Sequence, residues 1–262
     1  MIRTRFSDHG PVIRLLPVAL ISLAGAIAAP HAVQGQTDGD YLYNVTMLRA
    51  APGHFADLVE ALEADADLRE RAGDGAPFWI RHSQGDQWDF MLIYPMGDPT
   101  TFFDTERTRG RRVVGDSDAG RDVAERIERF TAFHEEWFAR SIPVEDLAGR
   151  FGGMGLFHVE IFAGLPGKRA ELLEQRRMEN RYYAHLDRQL NVIFTREAGP
   201  NWDAMTIGFY EDLQAFAAAG VRYSEAEQNE AASAAGFESV GQIGPYLRSL
   251  LSYHNDTLGV RP

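Results

Sequence analysis

The chain has 262 residues, a formal net charge of −12 and no cysteine. An acidic surface of this kind repels phosphate backbones and excludes nucleic acid as an expected partner. The missing thiols exclude disulfides, thiolate metal sites and a lipidated cysteine, so stability must come from an apolar core.

Arg3, Arg5 and Arg14 precede an apolar run from Leu15 to Ala29, broken only by Pro17, Ser22 and Gly25. The run is too short for a hydrocarbon core of about 30 Å. Basic residues, a short apolar run and then small residues make a secretory leader. Val33 and Gly35 at the −3 and −1 positions predict cleavage after Gly35, with Ala28 as the second choice. Cleavage after Gly35 removes three Arg and one Asp, which takes the formal charge from −12 to −14. The mature chain is expected to be exported, periplasmic or extracellular, and without a membrane span.

From Tyr41, Tyr43, Val45 and Met47 alternate with Asn44, Thr46 and Leu48, the pattern of a strand. Pro52-Gly53 turns the chain, and Phe55, Leu58, Val59 and Leu62 then recur at helical spacing up to about Arg71. Gly73-Asp74-Gly75 ends that helix. Strands are predicted over Phe78–His82 and Trp88–Tyr94, around a Gly85-Asp86 turn. Asp98 suits the N-cap of a second helix, and a further helix is predicted from about Asp122 to Arg140. Arg107, Arg109, Arg111 and Arg112 read as a solvated helix face. Asp116 to Gly120 begins like a calcium loop but lacks the later acidic ligand, and reads as a flexible loop.

The same order then recurs. A shift of 114 positions places Val45 on Val159, Pro52-Gly53 on Pro166-Gly167, Leu58 on Leu172 and Gly85 on Gly199. It also places Trp88-Asp89 on Trp202-Asp203, Met91 on Met205, Ile93 on Ile207 and Asp98 on Asp212. One β-α-β-β-α unit is therefore used twice. Phe133-His134 falls on Tyr253-His254 at a slightly longer offset, and Gly149 to Gly155 makes the junction. The expected plan is a leader over 1–35, a first unit with an extra C-terminal helix over 36–148, and a second over 149–262.

The Pro166-Gly167-Lys168 turn and the segment from Trp202 to Leu213 resemble the dimeric α+β barrel superfamily, which includes antibiotic-biosynthesis monooxygenase-like and NIPSNAP-like proteins. The resemblance implies an α+β fold of two ferredoxin-like units packed sheet to sheet. Here both would come from one chain, as an intramolecular barrel that is a monomer or pairs again as a homodimer. It further implies a small-ligand cavity between sheet and helices or inside the barrel. No member's catalytic set matches this chain residue for residue.

Strand alternation supplies candidate site residues. If Val159 and Ile161 face the helices, His158, Glu160 and Phe162 face the opposing sheet or a cavity. An imidazole beside a carboxylate can remove a proton, the carboxylate's pKa being raised by an apolar pocket, so His158 and Glu160 are the candidate catalytic pair. The first unit has Asn44 and Thr46 at those positions. Trp88 and Trp202, placed on one strand face with Tyr94 in the first unit and with Thr206 and Tyr210 in the second, read either as walls for an apolar or aromatic ligand or as core. Leu62 becomes Arg176, which needs a partner or a route to solvent, and His82 becomes Arg196, which can hold a carboxylate or stay at the surface. His134 and His254, placed in terminal helices, read as helix-end caps or, since superfamily relatives bind haem, as axial haem ligands. No metal-binding motif is present and the sequence assigns no cofactor. Three functions follow: an exported small-molecule-binding protein, a cofactor-independent monooxygenase or isomerase using His158 and Glu160, and a haem protein using His134 or His254.

Overall fold

The computed structural model describes residues 39–262, and the predicted leader lies outside the described residues. The first alternating stretch forms β1 (Tyr41–Ala50), and Pro52-Gly53 leads it into α1 (Phe55–Arg71). The hairpin of β2 (Phe78–Gln84) and β3 (Phe90–Gly97) follows. Next come α2 (Pro99–Phe102), α3 (Thr105–Gly115), α4 (Asp118–Phe130) and β4 (Thr131–Ser141). After α5 (Val144–Phe151) the unit repeats as β5 (Leu156–Gly164), α6 (Arg169–His185), β6 (Val192–Ala198) and β7 (Ala204–Tyr210). It closes with α7 (Leu213–Ala218), α8 (Glu225–Ala235), α9 (Val240–Leu250) and β8 (Leu251–Val260). Asp98 and Asp212 cap their helices as predicted, accepting from the amides of Thr101 and Ala215.

All strands pair antiparallel in one closed barrel, in the order β1-β3-β2-β8-β5-β7-β6-β4. The repeat is therefore β-α-β-β-α-β, and its last strand corrects the sequence reading. The helix predicted to run to Arg140 stops at Phe130, where Thr131 turns extended. Phe130, Phe133 and Trp137 fit helical spacing, but Trp137, Ala139 and Ser141 are buried alternately, as a strand requires. β4 pairs with β1 and β8 pairs with β5, so His134 and His254 lie on strands and not on terminal helices.

The face of each strand that looks inward is also the reverse of the expected one. Tyr43, Val45 and Met47 meet Phe157, Val159 and Ile161 inside the barrel, with Met91, Ile93, Met205 and Ile207. The most apolar stripe of each strand fills this interior, where the closed barrel leaves these side chains almost no exposed surface. Val159 and Ile161 thus face the barrel axis, and His158, Glu160 and Phe162 face the helix layer. There Phe162 packs with Leu172 of α6 and Leu247 of α9.

The two units meet at two seams, β2 with β8 and β4 with β6. Gly85 and Gly199 hold positive φ at these seams, and a Cβ on either would strike the other unit, 2.3 Å from the Asp256 carbonyl oxygen and 2.6 Å from Trp137 Cβ respectively. At one barrel mouth α5 inserts Phe151 among Phe78, Phe157 and Phe209. Trp88 and Trp202 pack against the same core from the loops before β3 and β7. Strand alternation does not extend to those loops, so Trp88 does not share the face of Phe90 and Tyr94, which look toward α1.

The arginine cluster is only partly a solvated face. Arg107 and Arg111 each reach Asp74 Oδ1 at 3.0 Å, and that carboxylate is buried, which ties α3 to the loop after α1. Ser117 caps α4 through the Gly120 amide at 3.0 Å, so the loop expected to be flexible is a helix start. Among the described residues no helix is long and apolar enough to cross a membrane.

Candidate functional site

The helix-facing side of each sheet carries the polar residues, and the two units use it differently. In the second unit the β5–β8 register sets Glu160 opposite Asp256 and Phe162 opposite His254. His158 Nε2 lies 2.5 Å from Asp256 Oδ1, and His254 Nε2 lies 3.3 Å from Glu160 Oε1. Thr206 on β7 donates to Glu160 Oε2 at 3.1 Å. Above them α6 brings Arg176, 2% exposed, with Nη1 3.6 Å from Glu160 Oε2. Its remaining donors reach Glu179 and, at 2.7 Å, Gln175 Oε1. The partner that the sequence demanded for Arg176 is therefore this pair of acids, and the guanidinium also lies 4.7 Å over Phe162. The His254 ring stacks on Phe162, the ring centroids 4.8 Å apart.

These contacts set the protonation states. Burial pushes the Glu160 carboxyl up, but the His254 hydrogen bond and the charges of Arg176 and His158 outweigh it and hold the pKa at about 2. Burial lowers His158, and its hydrogen bond to Asp256, with the Glu160 and Asp256 charges, more than reverses that and raises it. The expected apolar pocket with a raised carboxylate is thus replaced by an ion-paired one. A carboxylate so well stabilised is a weak base.

In the first unit Asn44, Thr46, Leu62, Asp65 and Arg69 stand where the second has His158, Glu160, Arg176, Glu179 and Tyr183. There a cavity of about 740 Å³ opens beside α1, α2 and α4. Leu48, Leu62, Met96, Phe102 and Phe138 form apolar wall, and Asn44, Thr46, His134 and Glu136 a polar strip. Asn44 donates to Glu136, and Thr46 Oγ1 donates to Asn44 Oδ1 at 2.9 Å. Arg69 is held by Asp65 at 2.6 Å and lies 4.2 Å over the Tyr94 ring.

The other candidates are scattered. Trp88 is buried in the barrel core, its indole donating to Asp86 at 2.8 Å, and Trp202 packs near Tyr253, so neither lines the cavity. Arg196 is engaged with Asp203 at 3.1 Å. Thr206 joins the Glu160 cluster. Tyr210 lines a separate pocket of about 460 Å³ beside Arg188 and Tyr223. Sequence reasoning missed Asp256, Glu136 and Arg69. Reading the two tails as strands would have aligned Glu136 with Asp256 on the faces of Asn44 and His158, since each lies two residues after the repeated histidine.

No protein-family model matches the sequence, and no curated protein matches it. Solved structures do match. A candidate monooxygenase from Fusobacterium nucleatum aligns with a TM-score of 0.52 at 9% identity, over 86% of this chain and 94% of that one. An anthrone oxidase-like protein aligns with a TM-score of 0.51 at 12% identity, over the same shares of both chains. At such identities the likeness is one of fold. With its two ferredoxin-like units closed into one eight-stranded barrel, the chain has the dimeric α+β barrel fold, built from a single polypeptide.

Proposed function

We propose that this chain binds a small apolar or aromatic molecule bearing a hydrogen-bonding group, in the cavity beside α1 and α4. The observation that carries the reading is the cavity itself. About 740 Å³ lies within the range of about 300–1,000 Å³ of small-molecule sites. Its apolar wall supplies affinity, and Asn44, Thr46 and Glu136 supply orientation. The second unit supports the assignment by contrast, because Arg176, Glu179 and Tyr183 take up the equivalent positions there. In this reading the leader-like N-terminus places binding outside the cytoplasm. Catalysis at His158 and Glu160 ranks second, since the His158–Asp256 pair orients an imidazole while Glu160 is held ionised.

The test is native mass spectrometry of the chain purified from its exported fraction, together with titration of the dye 1-anilinonaphthalene-8-sulfonate. The expected result is one small organic species per chain, or one bound dye, lost in Ala124→Trp, which fills the exposed cavity mouth without touching the barrel core. Equal occupancy in that variant, or no uptake at all, would overturn the reading. Haem would be indicated instead by a Soret band that appears on haem addition and vanishes in His134→Ala, since His134 lines the same cavity.

A further inference from the structure

We propose that His158, Glu160 and Asp256 form a binding site for a divalent cation, on the helix-facing side of β5 and β8 and separate from the cavity. One ligand atom from each lies within 4.8 Å of the other two. Metal–ligand bonds of about 2.0–2.2 Å from an imidazole and two carboxylates need separations below about 4.4 Å, a side-chain adjustment and no backbone movement. The backbone is fixed because the residues stand on the hydrogen-bonded neighbours β5 and β8. His158 Nε2 already points at Asp256, and Glu160 Oε1 is turned to the same side of the sheet by His254.

Charge favours the ion as well. Glu160, Glu179 and Asp256 bring three negative charges to the cluster, and Arg176 brings one positive charge. Ligation needs the His158 imidazole without its proton, and the carboxylates and Arg176 then leave two negative charges, which a divalent cation balances. Arg176 does not take the ion's place, because its short contacts are to Glu179 and Gln175 and its approach to Glu160 is the longest of the three. Access is open on one side, where the Asp256 side chain is 58% exposed while that of His158 is 19% exposed. Nitrogen and oxygen ligands without sulfur suit zinc, manganese or ferrous iron, and exclude a soft-metal preference. In the first unit Asn44, Thr46 and Glu136 occupy the equivalent positions, leaving one carboxylate and no imidazole in the set, so one ion per chain is expected.

The experiment is calorimetric titration of the chelator-treated full chain with zinc, manganese and cobalt, the cobalt complex also being read by visible absorption. One ion per chain is expected. Asp256→Asn and His158→Gln each weaken it by at least about 100-fold, and His254→Gln, which removes a hydrogen-bonding partner of Glu160, by about 10–100-fold. Asp256 is exposed, so its variant keeps the fold and circular dichroism verifies this for each protein. No uptake of any of the three metals, or unchanged affinity in Asp256→Asn and in folded His158→Gln, would overturn the site.

Discussion

Glu160 and Asp256 face each other directly across β5 and β8, carboxylate opposite carboxylate on one side of the sheet. Like charges so placed weaken a strand pair. His158 and His254 sit at the two diagonals, each turned toward the acid of the other strand, and Arg176 closes over the group from α6. The pattern is a small checkerboard of charge whose members depend on one another.

Removing its one permanent cation should therefore be expensive. Arg176→Leu, which installs the residue of the first unit, leaves the buried Glu160 and the half-buried Glu179 without it and should destabilise the fold by about 3–5 kcal/mol. Adding Glu160→Thr and Glu179→Asp, the other first-unit residues, should restore most of that loss. Urea unfolding of the two variants checks both halves of the statement.

Acid should act through the same group. Glu160 has an ordinary value of 4.5 and a folded value of about 2, so its contribution is complete above pH 4.5 and is lost as pH falls toward 2. His158 works in the opposite sense. Its folded value is raised, so its contribution is complete below its ordinary 6.5 and is lost as pH rises through the folded value. With chelator present, unfolding free energy should fall between about pH 4.5 and 2, and Glu160→Gln should flatten that window. An equally steep acid limb in the variant would assign the loss to other carboxyls.

The seam glycines differ from the turn glycines in what surrounds them. Gly53→Ala meets no atom within 4 Å and should cost only the left-handed backbone term, about 1–2 kcal/mol. Gly85→Ala adds a clash at 2.3 Å with the Asp256 backbone and should exceed that by at least about 2 kcal/mol. Thermal melts of the two variants, run side by side, measure the difference.

The plug at the barrel mouth is a third point of attack. Phe151→Ala empties the space among Phe78, Phe157 and Phe209 and should cost about 3–5 kcal/mol, read from the denaturation midpoint.

Much of this architecture is legible in the residues, because repetition and period-2 alternation are local signals. The duplication, the hairpins and both aspartate caps follow from them. The last strand of the first unit is hidden because Phe130, Phe133 and Trp137 keep helical spacing past the end of α4, while Phe133 and Trp137 alone also fit a strand until the pairing partner is known. The facing of Val159 and His158 was inverted for a related reason. Alternation separates two faces but does not say which one a closed barrel will turn inward. The candidate site was half visible: His158 and Glu160 do share a face. Asp256, 98 residues from His158, enters only through the β5–β8 register. The cavity depends on side chains that the first unit lacks, and no single residue announces such an absence.

The strand order maps onto itself after four strands, so the pseudo-two-fold axis of the duplication runs along the barrel. Trp88 and Trp202 obey that axis as an equivalent pair. Helix α5 does not, for it is the link between the units and lies at one mouth of the barrel. A second copy of such a link, in an assembly of two separate half-length chains, would compete for the same place near the axis. Joining the units gives the barrel a keyed end, and with it two distinguishable halves. The helix-facing surfaces are unequal as well, one lined as a cavity and its twin gathering charge.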